Sequence, residues 1–539
     1  MEYTGASVIA DILKLYKTKM VFGYPGAANA PMYEAMAEAG IVHILPRGEQ
    51  AAVHAASGYA RASGKVGVCM ATSGPGATNL ITGIANAYMD STPIVAITGQ
   101  VETDKIGQDV FQEVDITGAT APFCKHNYLV KDANELEEVL KNAFYIASTG
   151  RKGPVLVDVP MDVQLQSAPK ITTSTDVNIK GYKPSQKANG MQVKRVIKAL
   201  AKAKRPIILA GGGVISSGAQ KQLLQFAETA DIPIVCTMMG LGAVETTHPL
   251  YVGMVGSHGF SHASWALNHA DLVIVAGARM ADRAIDAVMH FQDCTVVHID
   301  VDPAEIGKVI SVDIPVVGDV RNVLADLNEK VKGDFDHNEW YGQIMDNREH
   351  REIQEKEGVV NPRLVMEILS DVMPKNAIIT TEVGQNQLWA ARGIRFSPGD
   401  QFISSGGLGT MGYGLPAAVG AQFADKGRTV IAIEGDGSLQ MSMPELATIA
   451  GNNLNIKIIL LKNKRLGMVN ELQKNKKYRQ YAVFLDGSPD FCKLADAYGI
   501  ANERVNQNGQ VKQAIETMLA HPGVYLLEMA VDPEEKTLL

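Results

Sequence analysis

Glu434-Gly-Asp-Gly-Ser438, taken with Lys462-Asn463, limits what this 539-residue chain can be more than any other stretch. Ile431-Ala-Ile433 is a short apolar run that predicts a buried strand, and the segment from Pro444-Glu445 onward predicts a helix. Gly435-Asp436-Gly437 then falls at the carboxyl end of a strand, where open α/β sheets bind ligands. The glycines let a backbone approach a bulky anion, and Asp436 offers the hard oxygen that Mg²⁺ takes. A second predicted strand, Ile456 to Leu461, leads to Asn463, 27 positions after Asp436. Two adjacent strand ends would present an Asp and an Asn to one metal, with phosphate oxygens and water completing its shell. Two ordinary βα turns that bind nothing are the competing reading.

The length fits three or four domains at roughly 150 residues each. Short apolar strands alternate with helical runs throughout, which implies βαβ units and parallel sheets. We divide the chain into α/β domains at 1–167, 188–335 and 360–539, each a doubly wound parallel sheet. The predicted strands include Val21–Gly23, Gly67–Ala71, Ile94–Thr98 and Val155–Val159 in the first, and are Pro206–Leu209, Ile232–Cys236, Leu272–Val275 and Thr295–Ile299 in the second. The third holds Ala377–Thr380, Gln401–Ile403, Val430–Ile433, Ile456–Leu461 and Val524–Met529. Polar Ala168 to Gln186 reads as a linker, and Asn338 to Glu357 as a charged helix. A net charge of −8 gives no basic footprint for nucleic acid. The five cysteines form no Cys-x-x-Cys pair, so neither a zinc site nor a disulfide framework is indicated. Met1 to Leu15 predicts an amphipathic helix rather than a signal peptide. No apolar run reaches about 18 residues, so no membrane span is expected. A cytoplasmic location is the resulting expectation.

Several other strand ends carry chemistry-bearing residues. Tyr24-Pro25-Gly26 follows the first strand, and Glu49 opens a predicted helix, Ala51 to Ala62, where the dipole favours a carboxylate; a plain helix-start glutamate explains Glu49 equally well. Thr72-Ser-Gly-Pro-Gly-Ala-Thr-Asn79 is a rigid, close-approach turn suited to an anion at a helix start. Phe111 and Gln112 lie in a predicted loop and are compatible with core, surface or site. In the second block, Gly211-Gly-Gly213, Gly277-Ala-Arg279 with Asp282-Arg283, and His298-Ile-Asp300 each follow a strand. A tight turn or a surface ion pair explains any one of them; together they point to nucleotide binding, or a relic of it. Glu382-Val-Gly-Gln-Asn-Gln387 can hold a diphosphate. In the glycine-rich stretch Ser404 to Gly414, Met411 is either packing filler or a support wedge.

In combination these segments resemble the large, catalytic subunit of acetohydroxyacid synthase (acetolactate synthase), a thiamine diphosphate (ThDP) enzyme. The likeness runs from Phe22-Gly-Tyr-Pro-Gly26 to Tyr525-Leu-Leu527. It is carried by Ala71 to Leu80, Phe111-Gln-Glu-Val-Asp115, Gly406 to Gly414 and Leu466-Gly-Met-Val469. The resemblance implies pyrimidine-binding, central FAD-type and diphosphate-binding domains, with active sites between subunits of a homodimer or homotetramer and a small regulatory subunit as a further partner. It implies a decarboxylating condensation of two pyruvates to 2-acetolactate and CO₂, or of pyruvate with 2-oxobutyrate, in branched-chain amino acid or acetoin metabolism. Glu49 would hydrogen-bond the cofactor's aminopyrimidine N1′, with Gln112 beside it. Pro25, Thr72, Asn79, Val383, Gly384, Gln385, Gln387, Gly409, Met411, Gly437, Ser438, Gly467, Met468 and Val469 would hold the rest of ThDP. Asp436, Asn463 and the Arg465 carbonyl would bind Mg²⁺. Arg151, Gly212, Thr237, His258, Gly277, Arg279, Asp300 and Asp319 match FAD contacts, and Ala27, Phe111, Lys125, Arg283 and Leu472 match the substrate channel.

The chain also departs from the family. Lys462 stands where many members have a first Asn, Gly48 where they have His, and Ala27 where they have Gly. Leu472 replaces a Trp that helps select 2-oxobutyrate, so a looser acceptor preference is expected. The family's Pro-Gly tail does not follow Asp532-Pro533. The alternative on the same scaffold is a sister ThDP enzyme: a 2-oxoacid decarboxylase, a pyruvate oxidase or a C–C hydrolase.

Overall fold

A computed structural model describes residues 2–285, 291, 293–348, 353 and 356–537. Its eighteen strands form three six-stranded sheets in which every pairing between strands is parallel. The first sheet comprises β1 (Met20–Gly23), β2 (Val42–Ile44), β3 (Gly67–Ala71), β4 (Ile94–Gln100), β5 (His126–Leu129) and β6 (Pro154–Pro160), in the order β2-β1-β3-β4-β6-β5. The second comprises β7 (Pro206–Ala210), β8 (Ile234–Cys236), β9 (Tyr251–Met254), β10 (Leu272–Ala276), β11 (Thr295–Asp300) and β12 (Ile314–Val317), ordered β12-β11-β10-β7-β8-β9. The third comprises β13 (Ile378–Thr381), β14 (Gln401–Ile403), β15 (Val430–Gly435), β16 (Ile456–Lys462), β17 (Ala501–Val505) and β18 (Tyr525–Ala530), ordered β14-β13-β15-β16-β18-β17. The first and third sheets share one strand order, a correspondence the sequence alone leaves open. The second has the order of dinucleotide-binding folds.

Central strands such as β3, β7 and β10 are buried on both faces and read as continuous apolar runs. Ala168 to Gln186 carries neither helix nor strand, as expected of a linker. The charged stretch after Asn338 forms a helix over Asn338–Asp346; part of the remainder to Glu357 lies outside the described residues. No helix among the described residues is long and apolar enough to cross a membrane.

Seven helices matter below: α1 (Gly5–Leu15), α2 (Glu49–Ser63), α3 (Gly212–Ser217), α4 (Gln385–Gly393), α5 (Gly414–Ala424), α6 (Asp436–Ser442) and α7 (Gly467–Asn475). The first and third sheets meet where α2 packs on α5. A Cβ on Gly58 would run into the Ala417 carbonyl, and one on Gly420 into the Ala55 carbonyl. Two glycines therefore let the backbones touch, and one apolar core spans both sheets.

Candidate active site

Each motif cluster lies where the strand order of its sheet reverses, the position at which open α/β sheets bind ligands. In the third sheet that point separates β13 from β15. Gly435 pairs with Leu461 across β15 and β16, so Asp436 and Asn463 emerge from neighbouring strand ends. Asp436 is buried and opens α6. Its carboxylate accepts the Lys464 N–H at 2.8 Å, from a residue turned to φ +58°. Burial pushes its pKa up to about 6. Asn463 accepts from the Arg465 N–H at 3.0 Å and donates to Gln385 at 2.9 Å. A carboxylate, an amide carbonyl and a main-chain carbonyl form a hard oxygen set that fits Mg²⁺. Met411 Cε lies 3.8 Å from where a Gly437 Cβ would stand, and Leu466 at 3.0 Å, so the turn is flanked by apolar side chains.

Glu382 follows β13 and Glu434 ends β15, and both are fully buried. Glu382 accepts backbone N–H groups from Gly412 (2.7 Å), Tyr413 (3.2 Å) and Gly414 (2.9 Å). Burial raises Glu382 to about 7, and burial together with the neighbouring Glu382 raises Glu434 well above the carboxylate range. Two adjacent buried carboxyls do not both ionise readily, so Glu434 holds its proton more tightly than Glu382. Of the diphosphate candidates, Gln385 donates to Glu471 (2.9 Å) and to the Glu535 carbonyl (3.1 Å), while Gln387 donates to Ser404 and Ser405. Ser438 donates to the Gly435 carbonyl at 3.2 Å.

In the first sheet the reversal lies between β1 and β3. Glu49 begins α2, two residues before the predicted helix start, and accepts from the Asn79 amide at 3.0 Å. Thr72 accepts the Ala28 N–H at 3.2 Å and lies against Gly26 and Gly76, so the Pro25-Gly-Ala27 turn and the turn before Asn79 converge near Glu49. Gly74 (φ +57°) faces the Gln112 backbone, where any Cβ would come within 2.9 Å of Gln112 Cα. Gln112 is itself at φ +61°, and Phe111 projects beside it, 87% exposed.

The second sheet reverses between β10 and β7, at Gly277 and Gly211-Gly-Gly213. A cavity of about 950 Å³ opens here, and all eight nucleotide candidates line it. Gly211 and Gly213 are small because their backbones press on Gly277-Ala278; Gly212, at the start of α3, meets only Met239. Burial pushes Asp300, at the end of β11, up to about 6. Arg151 pairs with Glu305 at 2.8 Å, and Asp319 caps the helix Val320–Lys330 through the Arg321 and Asn322 N–H groups. The cavity size, the strand order and the glycines fit a flavin dinucleotide. Sequence reasoning missed Arg61 and Asp90, which also line the cavity. Asp90 accepts the Gly407 N–H at 2.7 Å, and its other oxygen is buried with no partner among the described residues. Neither residue sits in a recognisable motif, so no local signal marks them.

Val383, Gly384, Gln387, Gly409, Met468, Val469, Arg283 and Leu472 line the same cavity, whereas Glu49, Thr72 and Asn79 do not. That cavity thus gathers the nucleotide candidates with part of the cofactor set, while Gln385, Met411, Asp436 and Asn463, like the Glu49 cluster, do not line it. Lys125 is not at the cavity either. Its ammonium bonds the Ile146 and Thr149 carbonyls and the Tyr182 hydroxyl, and burial lowers its pKa to about 8. Glu471, which no motif singled out, is buried and takes bonds from Gln385 and Thr537.

Family models for thiamine pyrophosphate enzymes match this chain in three pieces: the N-terminal binding domain at 3–119, the central domain at 193–327 and the C-terminal binding domain at 382–529. The chain is 44% identical to a probable acetolactate synthase large subunit of Methanocaldococcus jannaschii, across 98% of this chain and 92% of that one. It is 43% identical to the acetolactate synthase isozyme 2 large subunit of Escherichia coli K12, across 98% and 96%. It is 38% identical to the acetolactate synthase large subunit of Lactococcus lactis subsp. lactis, across 99% and 94%.

Proposed function

Because the chain belongs to the thiamine pyrophosphate enzymes and, among them, to the acetolactate synthase large-subunit family, we propose that it condenses two pyruvates to 2-acetolactate and CO₂. The observation that carries this reading is the pairing of Asp436 and Asn463 at adjacent ends of β15 and β16, with Glu49 and Asn79 at the matching reversal of the first sheet. ThDP, when bound, supplies the electron sink for decarboxylating a 2-oxoacid and carrying its two-carbon unit.

The chain's own residues supply the remainder. Asp436, Asn463 and the Arg465 carbonyl would hold Mg²⁺, which would neutralise the cofactor's diphosphate. Gly384, Gly435 and Gly437 let the backbone approach that anion. Glu49 would hold or move a proton at the aminopyrimidine nitrogen of bound ThDP, and the Asn79 amide, donating to one of its oxygens, fixes its orientation. The resemblance to acetohydroxyacid synthases supports an active unit of at least a homodimer, in which Glu49 of one copy would be set against Asp436 of the other. The 950 Å³ cavity would hold FAD, a bound group that the carboligation does not require. Leu472 lines that cavity and is 55% exposed, which supports weak discrimination between pyruvate and 2-oxobutyrate as acceptor. The relatives' names as large subunits support a small regulatory partner.

The test is pyruvate turnover with ThDP and Mg²⁺, following acetolactate with and without 2-oxobutyrate, beside Glu49→Gln. Acetolactate from the parent and its loss in the variant are expected. Acetaldehyde, or peroxide under dioxygen, in place of acetolactate would move the assignment to a decarboxylase or an oxidase.

A further inference from the structure

We propose that Glu382 is a positioning residue of the cofactor site: its carboxylate gathers the loop after Met411 and fixes that side chain against the Gly435-Asp436-Gly437 turn. This rests on the reading that ThDP binds between these segments. Glu382 leaves β13 at the point where the third sheet reverses, and none of it is exposed. Both its oxygens are used, one by Gly412 and Tyr413 and the other by Gly414. These are the three residues that follow Met411. The loop reaches them through left-handed turns at Gly409 (φ +75°) and Gly412 (φ +87°), where the backbone itself has little stiffness to hold Met411. Charge-assisted bonds to three successive N–H groups supply that stiffness.

The loop that this carboxylate holds also packs beside the residue that leads into the metal turn. A Cβ on Gly414 would stand 2.7 Å from the Glu382 nitrogen and 3.0 Å from Glu434 Oε1, so the loop packs closely on both residues. Glu434 runs straight into Gly435-Asp436. Met411 Cε returns to within 3.8 Å of the Gly437 Cβ position. Glu382 therefore closes a ring from β13 through the Met411 loop to the turn after β15. A fold staple would need only one of these bonds at the start of α5; three, placed beside the wedge residue, set its position.

The experiment compares the full-length parent with Glu382→Gln and Glu382→Asp. Three readouts are taken: ThDP affinity by titration calorimetry at fixed Mg²⁺, steady-state turnover, and the melting temperature without cofactor. Gln puts an NH₂ donor among converging N–H donors, so ThDP affinity should fall about tenfold or more. The turnover number should fall by a similar factor while KM for pyruvate moves less than about twofold. Asp keeps two acceptor oxygens and should lie between parent and Gln; it remains informative where Gln does not fold. Parent-like ThDP affinity in a folded variant, or a lower melting temperature with affinity unchanged, would overturn the proposal. A parent that binds no ThDP would instead overturn the cofactor reading on which it rests.

Discussion

Asp436 is buried before any metal reaches it, and this sets its pH behaviour. Its pKa in the fold is about 6, above the roughly 3.9 of an unfolded Asp. A raised carboxylate pKa means that the folded, metal-free chain holds the proton more tightly. That chain therefore loses stability as pH rises from about 4 to about 6. Mg²⁺ needs the ionised form, so ThDP–Mg²⁺ affinity should be flat above about pH 7 and weaken about tenfold per unit below pH 6; calorimetric titration across pH 5–8 checks this. Glu49→Gln should lower turnover by about 10²–10⁴-fold while leaving ThDP affinity within a few fold, read from paired kinetics and binding. Leu472→Trp should raise the ratio of 2-aceto-2-hydroxybutyrate to acetolactate when pyruvate and 2-oxobutyrate compete, because a large apolar ring favours the longer acceptor by about 1–3 kcal/mol.

Among the elements, α2 and α5 show why some glycines matter and others do not. Gly420→Ala would drive a methyl into the Ala55 carbonyl, so a loss of about 1–3 kcal/mol is expected in chemical denaturation, with the first and third sheets separating most readily. Gly48 has open space around its Cβ position and should accept Ala with little change in stability. The same contrast explains what periodicity reads well. The central strands, β3 and β10 among them, are unbroken apolar runs and stand within a residue or so of the expected bounds. The strands that went unforeseen, β2, β5, β9, β12 and β17, are all sheet edges. Four of these are partly exposed along their length, and β9 is interrupted by Gly253. Their identity comes from a partner strand and not from their own pattern.

Across the whole molecule, the cavity beside the second sheet joins residues from all three sheets, from Arg61 through Arg279 to Met468. Filling it should stabilise the assembly: added FAD should raise the melting temperature in a concentration-dependent way, and Arg279→Ala should weaken that response. The sequence by itself determined the parallel α/β class, the turns at Tyr24-Pro-Gly26, Thr72 to Asn79 and Gly435-Asp-Gly437, and the family, because glycines at strand ends and apolar runs are local signals. Only the tertiary structure decided that Lys125 serves the carbonyls at the end of the helix Leu136–Ser148, that Asp90 and Arg61 face the cavity, and that Glu382 and Glu434 share a buried contact. These pairings join residues tens to hundreds of positions apart. Their chemistry depends on desolvation and on which backbone groups converge, and neither is written in any one stretch of chain.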